Sequence, residues 1–404
     1  MELLSSPWGF ISALLVFLIG AAVSLAAGRG FAVGRGRSIA LYGWHTLLCL
    51  SYYWYVQEYG GDALDYYQAA LRGNVDLYVG TAAVSFLTSL LVQFLGLSLL
   101  GAFLVFNIFG SIGLLAVDGC LRIATRDKTR NTRRLATLII FLPSVSFWSS
   151  AIGKDAISFM SAGLALWAVL DLNRRTPLIV VAVVLMVLVR PHMAGMMLAG
   201  LTGALLVERR FSLPKKLLLG AMAVAVAIPM VPFALDYAGL GEASNAEALV
   251  SYVETRQAYN MEGGGGVDLQ SMSLPMKLFT YMFRPLIFEA QSIFGLAAAI
   301  DNLVLLYLFA MGWRALIGAG DQIQRGGRTF LWIYSLVAWL ALSVTSANLG
   351  IAMRQKWMFA PMLILLFISA MGTARVQPVA SRNLPAGGIA PRAISFSRSP
   401  LRKP

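Results

Sequence analysis

Long apolar stretches recur along most of the chain, each bounded by a short cluster of charge, and this alternation limits the fold more than any single motif does. The stretch from Trp8 to Ala27 is followed by Arg29, Arg35 and Arg37, and the stretch from Ile39 to Val56 by Glu58, Asp62 and Asp65. A helix crossing the hydrocarbon core of a bilayer needs about 20 apolar residues, with a range of about 17–25. Lipid offers no hydrogen-bond partners, so the backbone of each crossing must satisfy itself, and a helix does so. The chain is 58% hydrophobic and 13% charged, with a mean hydropathy of +0.72. A soluble domain carries about 25% charged residues, so this chain lacks the charge to cover a water-facing surface. Its net charge of +13 does not point to nucleic acid, because the basic residues fall between apolar stretches in a positive-inside pattern. Two cysteines, Cys49 and Cys120, do not make a disulfide framework. Two histidines, His45 and His192, argue against a histidine-rich metal site, and no cofactor is called for.

Charge then sets the direction of each crossing. The N-terminus, Met-Glu-Leu-Leu, lacks the basic region of a signal peptide, so Trp8 to Ala27 reads as a retained span entering from outside. Ile39 to Val56 returns to the exterior. Between Leu77 and Val117 there is room for two crossings, but Arg122, Arg126, Lys128, Arg130, Arg133 and Arg134 follow and mark a cytoplasmic loop. Only one crossing satisfies that loop, so Leu95 to Val117 crosses and Gly80 to Gln93 lies along the outer interface or re-enters it. Two short hairpins follow, Leu135 to Ser150 with Ala156 to Leu170, and Pro177 to Val189 with Met193 to Val207. Short spans place polar apices in a thinned or water-filled region. Leu217 to Leu235 goes out and opens a long acidic segment over 236–275. Phe279 to Gln291 is interfacial, Leu296 to Ala310 returns, and Phe330 to Val344 with Trp357 to Met371 form a last hairpin. The expectation is an all-α polytopic membrane protein of about eleven transmembrane helices, with its N-terminus outside, its C-terminus cytoplasmic and interfacial helices in the exterior loops. Residues 1–372 form a single transmembrane domain, and 373–404 a disordered, basic tail.

Under this topology the exterior gathers cations that the positive-inside rule does not place there: Lys154, Arg190, His192, Arg284, Arg354 and Lys356. Ionisable groups at membrane depth are costly and mark substrate paths. Several cations on one face suit an anion, above all phosphate, since arginine offers a bidentate fork and lysine a point charge. The competing reading is that individual side chains snorkel to lipid headgroups. Asp62 and Asp65, in Gly60-Gly61-Asp62-Ala63-Leu64-Asp65, follow the second span closely. They can act as a general base toward a hydroxyl, bind a divalent cation, or cap the following helix. Lys154 and Asp155 are adjacent and can neutralise each other while capping the next helix. His192 follows Pro191 in a turn and can donate to phosphate or satisfy a buried carbonyl. His45, inside a span, reads as a helix–helix hydrogen bonder.

The phrases GDALDYY, LPSVSFWSSAIGKDAI, LVRPHMAG, FRPLIFEA and NLGIAMRQK resemble membrane proteins and polymerase-like proteins of bacterial surface-polysaccharide clusters. The order of spans over 39–235 resembles the seven-span module of the GT-C-type integral membrane glycosyltransferases, with one additional N-terminal helix. That resemblance implies an enzyme acting on polyprenyl-phosphate-linked saccharides at the outer face of the inner membrane, as a transferase or repeat-unit polymerase. It places the family's loop carboxylate on Asp62, with Asp65 second, and its lipid-phosphate cations among Arg190, Arg284, Arg354 and Lys356. The partners implied are the lipid-linked saccharide, the bilayer and other polysaccharide-assembly proteins. A transporter or flippase of the same lipid-linked saccharides and a non-catalytic scaffold are the rival functions.

Overall fold

The computed structural model describes residues 7–73, 76–207, 265–269, 271–318 and 325–372, with scattered positions between 212 and 228. The chain divides after Thr373, and the described residues all fall in the first part. The expected crossing from Leu217 to Leu235, most of the 236–275 loop and the basic tail lie outside them.

Every regular element among the described residues is helical. In chain order these are α1 (Pro7–Gly30), α2 (Arg35–Tyr59), α3 (Asp62–Arg72), α4 (Thr81–Ser89), α5 (Leu99–Ala124), α6 (Arg130–Ile140), α7 (Pro143–Trp148), α8 (Lys154–Val169), α9 (Leu172–Val189) and α10 (Pro191–Val207). Further along the chain come α11 (Leu274–Phe283), α12 (Ile293–Gly318), α13 (Arg325–Thr345), α14 (Leu349–Gln355) and α15 (Ala360–Ala370).

Five helices are long and apolar enough to cross a membrane, at Pro7–Gly30, Leu99–Ala124, Leu172–Val189, Ile293–Leu316 and Gly327–Thr345. A sixth arises if Leu349–Met358 and Ala360–Ala370, bent by 60°, count as one span. The expected number was about eleven. Some of the difference is local chemistry. Pro143 has no N–H to donate and begins α7, so Leu135 to Ser150 is two short helices and not one. Helix α2 has 25 residues, but its tyrosines and His45 keep it too polar for the same standard. Helices α8 and α10 are 16 and 17 residues, short for a full crossing. The stretch between Leu77 and Val117 contains one helix of spanning length, α5, preceded by the short α4 and a π turn at Leu90–Phe94.

Glycines let α5 and α8 approach closely. A Cβ on Gly113 would lie 2.9 Å from the Met160 Cα, and one on Gly163 would lie 2.6 Å from the Gly113 carbonyl oxygen. Small residues at such crossings let membrane helices pack backbone to backbone. A Cβ on Gly119 would meet the Trp167 ring, so α5 and α8 run parallel. Arg37 pairs with Asp118, and His45 Nδ1 lies 2.5 Å from Asn107 Oδ1, so α2 runs antiparallel to α5. The His45 Nε2 contact to Ser149 Oγ, at 3.0 Å, makes this histidine the interhelical hydrogen bonder expected of it. Helix α9 returns along α8, with Ser161 donating to the Ala182 carbonyl and Arg175 to that of Trp167.

These pairings sort the helix ends into two groups. One end of the bundle holds Tyr59, Asp62, Leu99, Lys154 and Arg190. The other holds Arg37, Asp118, Arg175 and Lys128, whose ammonium donates to the Ser369 carbonyl at 2.6 Å.

Candidate functional site

At the first of these ends a cavity of about 820 Å³ opens between α3, α4, the turn before α8, and α14. Its walls carry Asp62, Asp65, Lys154, Asp155, Arg190 and Arg354, with Tyr52 and Trp148 beneath. Five of the eight residues singled out from sequence meet here.

Local geometry explains the convergence. Helix α2 stops at Gly60 and Gly61, whose φ angles of 74° and 141° are open to glycine and costly for other residues. The chain turns sharply and starts α3 at Asp62. Asp65 lies one turn on, so both carboxylates share a face. Neither caps the helix: Gly61 is the N-cap residue, and no side chain caps it. Across the cavity, Asn348 accepts from the N–H groups of Gly350 and Ile351 and so starts α14. Residues 265–267, within the long acidic segment, bond alongside it through Val267 N–H to Ala347 and Leu349 N–H to Gly265. Arg354, one turn and a half along α14, reaches Asp62 at 3.2 Å and lies 5.2 Å from the Trp148 ring centre. Trp148 is held in turn by edge contacts to Phe147 and Tyr52.

The deep wall is formed by Asp155 and Arg190, which meet at 2.5 Å with only 16% and 10% of their side chains exposed. The Arg190 Nε is buried and has no partner among the described residues. Lys154 donates to the Thr81 hydroxyl at 3.1 Å and makes no ion pair among the described residues. Asp155 therefore neutralises Arg190 and leaves the adjacent Lys154 facing the cavity, where adjacency alone had suggested a Lys154–Asp155 pair. Asp65 is exposed on the cavity side of α3.

Depth follows from the α5–α8 pairing. Met160 lies level with Gly113, so Lys154 lies near the level of Asn107, eight residues inside the end of α5 at Leu99. At 1.5 Å per residue the cationic wall is about 12 Å below that helix end.

Three expected site residues go elsewhere. Arg284 is held by Glu289 at 2.6 Å and does not line the cavity; that guanidinium keeps the Glu289 carboxyl below its usual range. His192 is exposed at the start of α10, beyond the cavity lining. Lys356 is 1% exposed and points into the bundle, where its ammonium donates to the Asn302 side chain and to the Met282 carbonyl. Asn302 donates in turn to the Pro285 carbonyl. Lys356 thus ties α12, α11 and the bend between α14 and α15 together, a structural use of a charge that sequence position had assigned to ligand binding. Sequence reasoning also missed Tyr52 and Trp148 as cavity residues, because aromatic residues in apolar runs carry no distinguishing signal. Among the described residues no group of three or more His, Cys, Asp or Glu side chains comes together.

Compared with protein-family models, curated proteins and solved structures, the chain finds no match.

Proposed function

We propose that this chain is a membrane glycosyltransferase or repeat-unit polymerase that uses polyprenyl-phosphate-linked sugars to build a cell-surface polysaccharide, at the outer face of a bacterial inner membrane. One observation carries the reading: Lys154, Arg190 and Arg354 share a recessed cavity with Asp62 and Asp65. Cations at that depth suit a lipid-borne phosphate, and carboxylates beside them suit proton removal. The accompanying topology has about eleven crossings, with the N-terminus and the cavity outside and the C-terminus in the cytoplasm. The basic residues from Arg122 to Arg134 support this orientation, since they gather at the opposite end of the bundle.

In the proposed step an acceptor hydroxyl attacks the anomeric carbon of the lipid-linked donor. The new carbon–oxygen bond forms as the bond to the lipid phosphate breaks, and the departing phosphate keeps the electron pair. Asp65, open to the cavity, takes the hydroxyl proton. Asp62 holds Arg354 in place. Arg354, Lys154 and the free edge of Arg190 stabilise the charge that develops on the leaving phosphate, in a site where water is partly displaced.

Purified protein in detergent, supplied with polyprenyl-phosphate-linked sugar and an acceptor, tests the reading. Glycosyl transfer without a sealed membrane is the expected result. Movement of the lipid-linked sugar in sealed vesicles with no transfer in detergent would favour a flippase. Neither activity, with binding to other assembly proteins intact, would favour a scaffold.

A further inference from the structure

The basic end of the bundle carries a second site that the proposed reaction does not use. A cavity of about 350 Å³ is lined by Arg37, Arg122, Arg126 and Arg133. It adjoins a second concavity of about 410 Å³ that shares Arg133 and adds Arg130 and Arg134. The acid in this lining, Asp118, is fully buried and already committed to Arg37 through two hydrogen bonds of 2.8 and 2.6 Å. The other five arginines are exposed.

Their placement is unfavourable for the protein alone. Arg130, Arg133 and Arg134 occupy the first turns of α6, which has no acidic residue in its first turn. Cations there oppose the positive end of the helix dipole, whereas an anion is favoured. The Thr129 side chain caps one N–H of that turn, that of Thr132, and the arginines repel one another across the concavity. A bound phosphate would relieve both effects.

Apolar groups beside the arginines indicate where the phosphate comes from. Ile123, which lines the first cavity, is 39% exposed, and Leu138, one turn beyond Arg134 on α6, is 51% exposed. An ion from solution has no use for such neighbours, but a lipid places acyl chains next to its headgroup. We propose that this end of the bundle binds the phosphate headgroup of an anionic phospholipid, with its chains against Ile123 and Leu138. The site is independent of the reaction proposed at the other end.

Native mass spectrometry of the detergent-solubilised chain tests this, with phosphatidylglycerol and phosphatidylcholine of matched chain length as probes. The wild type is expected to retain several-fold more phosphatidylglycerol. Arg126→Gln, Arg133→Gln and Arg134→Gln combined are expected to remove most of that several-fold preference and bring retention toward the choline-lipid level. Arg174→Gln, at the same end with its side chain 89% exposed, is expected to leave it unchanged. Equal retention of the two lipids by the wild type overturns the proposal without recourse to any variant. Undiminished retention by a folded triple variant also overturns it, as does full displacement by millimolar inorganic phosphate, which would indicate a soluble anion instead.

Discussion

Asp155 Oδ1 and Arg190 Nη2 meet at 2.5 Å, joining the start of α8 to the turn between α9 and α10 across 35 positions of sequence. The pair is the hinge of the cavity's electrostatics. It satisfies one edge of a buried guanidinium, leaves the Nε edge without a partner, and frees Lys154 from the carboxylate next to it.

Breaking this pair is expected to destabilise the protein. Asp155→Asn leaves a mostly buried arginine uncompensated, and the cost of such a loss is about 3–5 kcal/mol in a closed interior. The pair borders an open cavity, so about 1–3 kcal/mol is expected here. Thermal unfolding in detergent of Asp155→Asn, Arg190→Gln and the double variant measures the coupling. The double variant should lose clearly less than the two single losses added; simple additivity would mean that the pair contributes no interaction.

Lys356 and Arg354, two positions apart, should separate cleanly. Lys356→Met strands Asn302, which is fully buried, and should cost about 2–4 kcal/mol of stability. Arg354→Gln removes a partly exposed contact to Asp62 and should change stability by about 1 kcal/mol or less, while lowering phosphate affinity about tenfold or more. Unfolding midpoints alongside lipid-phosphate binding distinguish the two roles. Equal loss of binding with unchanged stability in both variants would restore Lys356 to the site.

The α5–α8 crossing should be intolerant of volume. Gly163→Ala puts a Cβ against the Gly113 carbonyl and is expected to lower stability by about 1–3 kcal/mol, because backbone must move. Gly43→Ala, on the open face of α2 with nothing within 4 Å, should be neutral. Matching midpoints for the two variants would contradict the close packing.

Much of this was legible in the sequence because charge in an apolar chain is conspicuous. Asp62, Asp65, Lys154, Arg190 and Arg354 all sit at helix ends, where a turn interrupts hydrophobic sequence, and positive-inside reasoning assigned them to one side. What could not be read was pairing. Nothing local says that Asp155 prefers Arg190, far away, to Lys154 beside it, or that Lys356 turns inward to Asn302 while Arg354 turns outward to Asp62. Arg284 is different, because Glu289 lies five residues on and a local ion pair was available to be read. Among the expected spans, hydropathy sees Leu135 to Ser150 as one stretch. The backbone, lacking a donor at Pro143, breaks there.

Sidedness can be checked directly on a background with Cys49 and Cys120 replaced, both of which are buried. Gln68→Cys on α3 and Arg130→Cys on α6 are both at exposed positions. An impermeant thiol reagent added to intact cells is expected to label position 68 and spare position 130. Labelling of position 130 alone would invert the topology and place the cavity in the cytoplasm.

The most direct measurement is the rate of glycosyl transfer from polyprenyl-phosphate-linked sugar by purified wild type, Asp65→Asn and Asp62→Asn in detergent. Loss of a general base costs about 10²–10⁴-fold in rate. A drop of that size is expected for Asp65→Asn, with a smaller loss for Asp62→Asn through a misplaced Arg354. Wild-type product formation by both folded variants would contradict a catalytic role for this cavity.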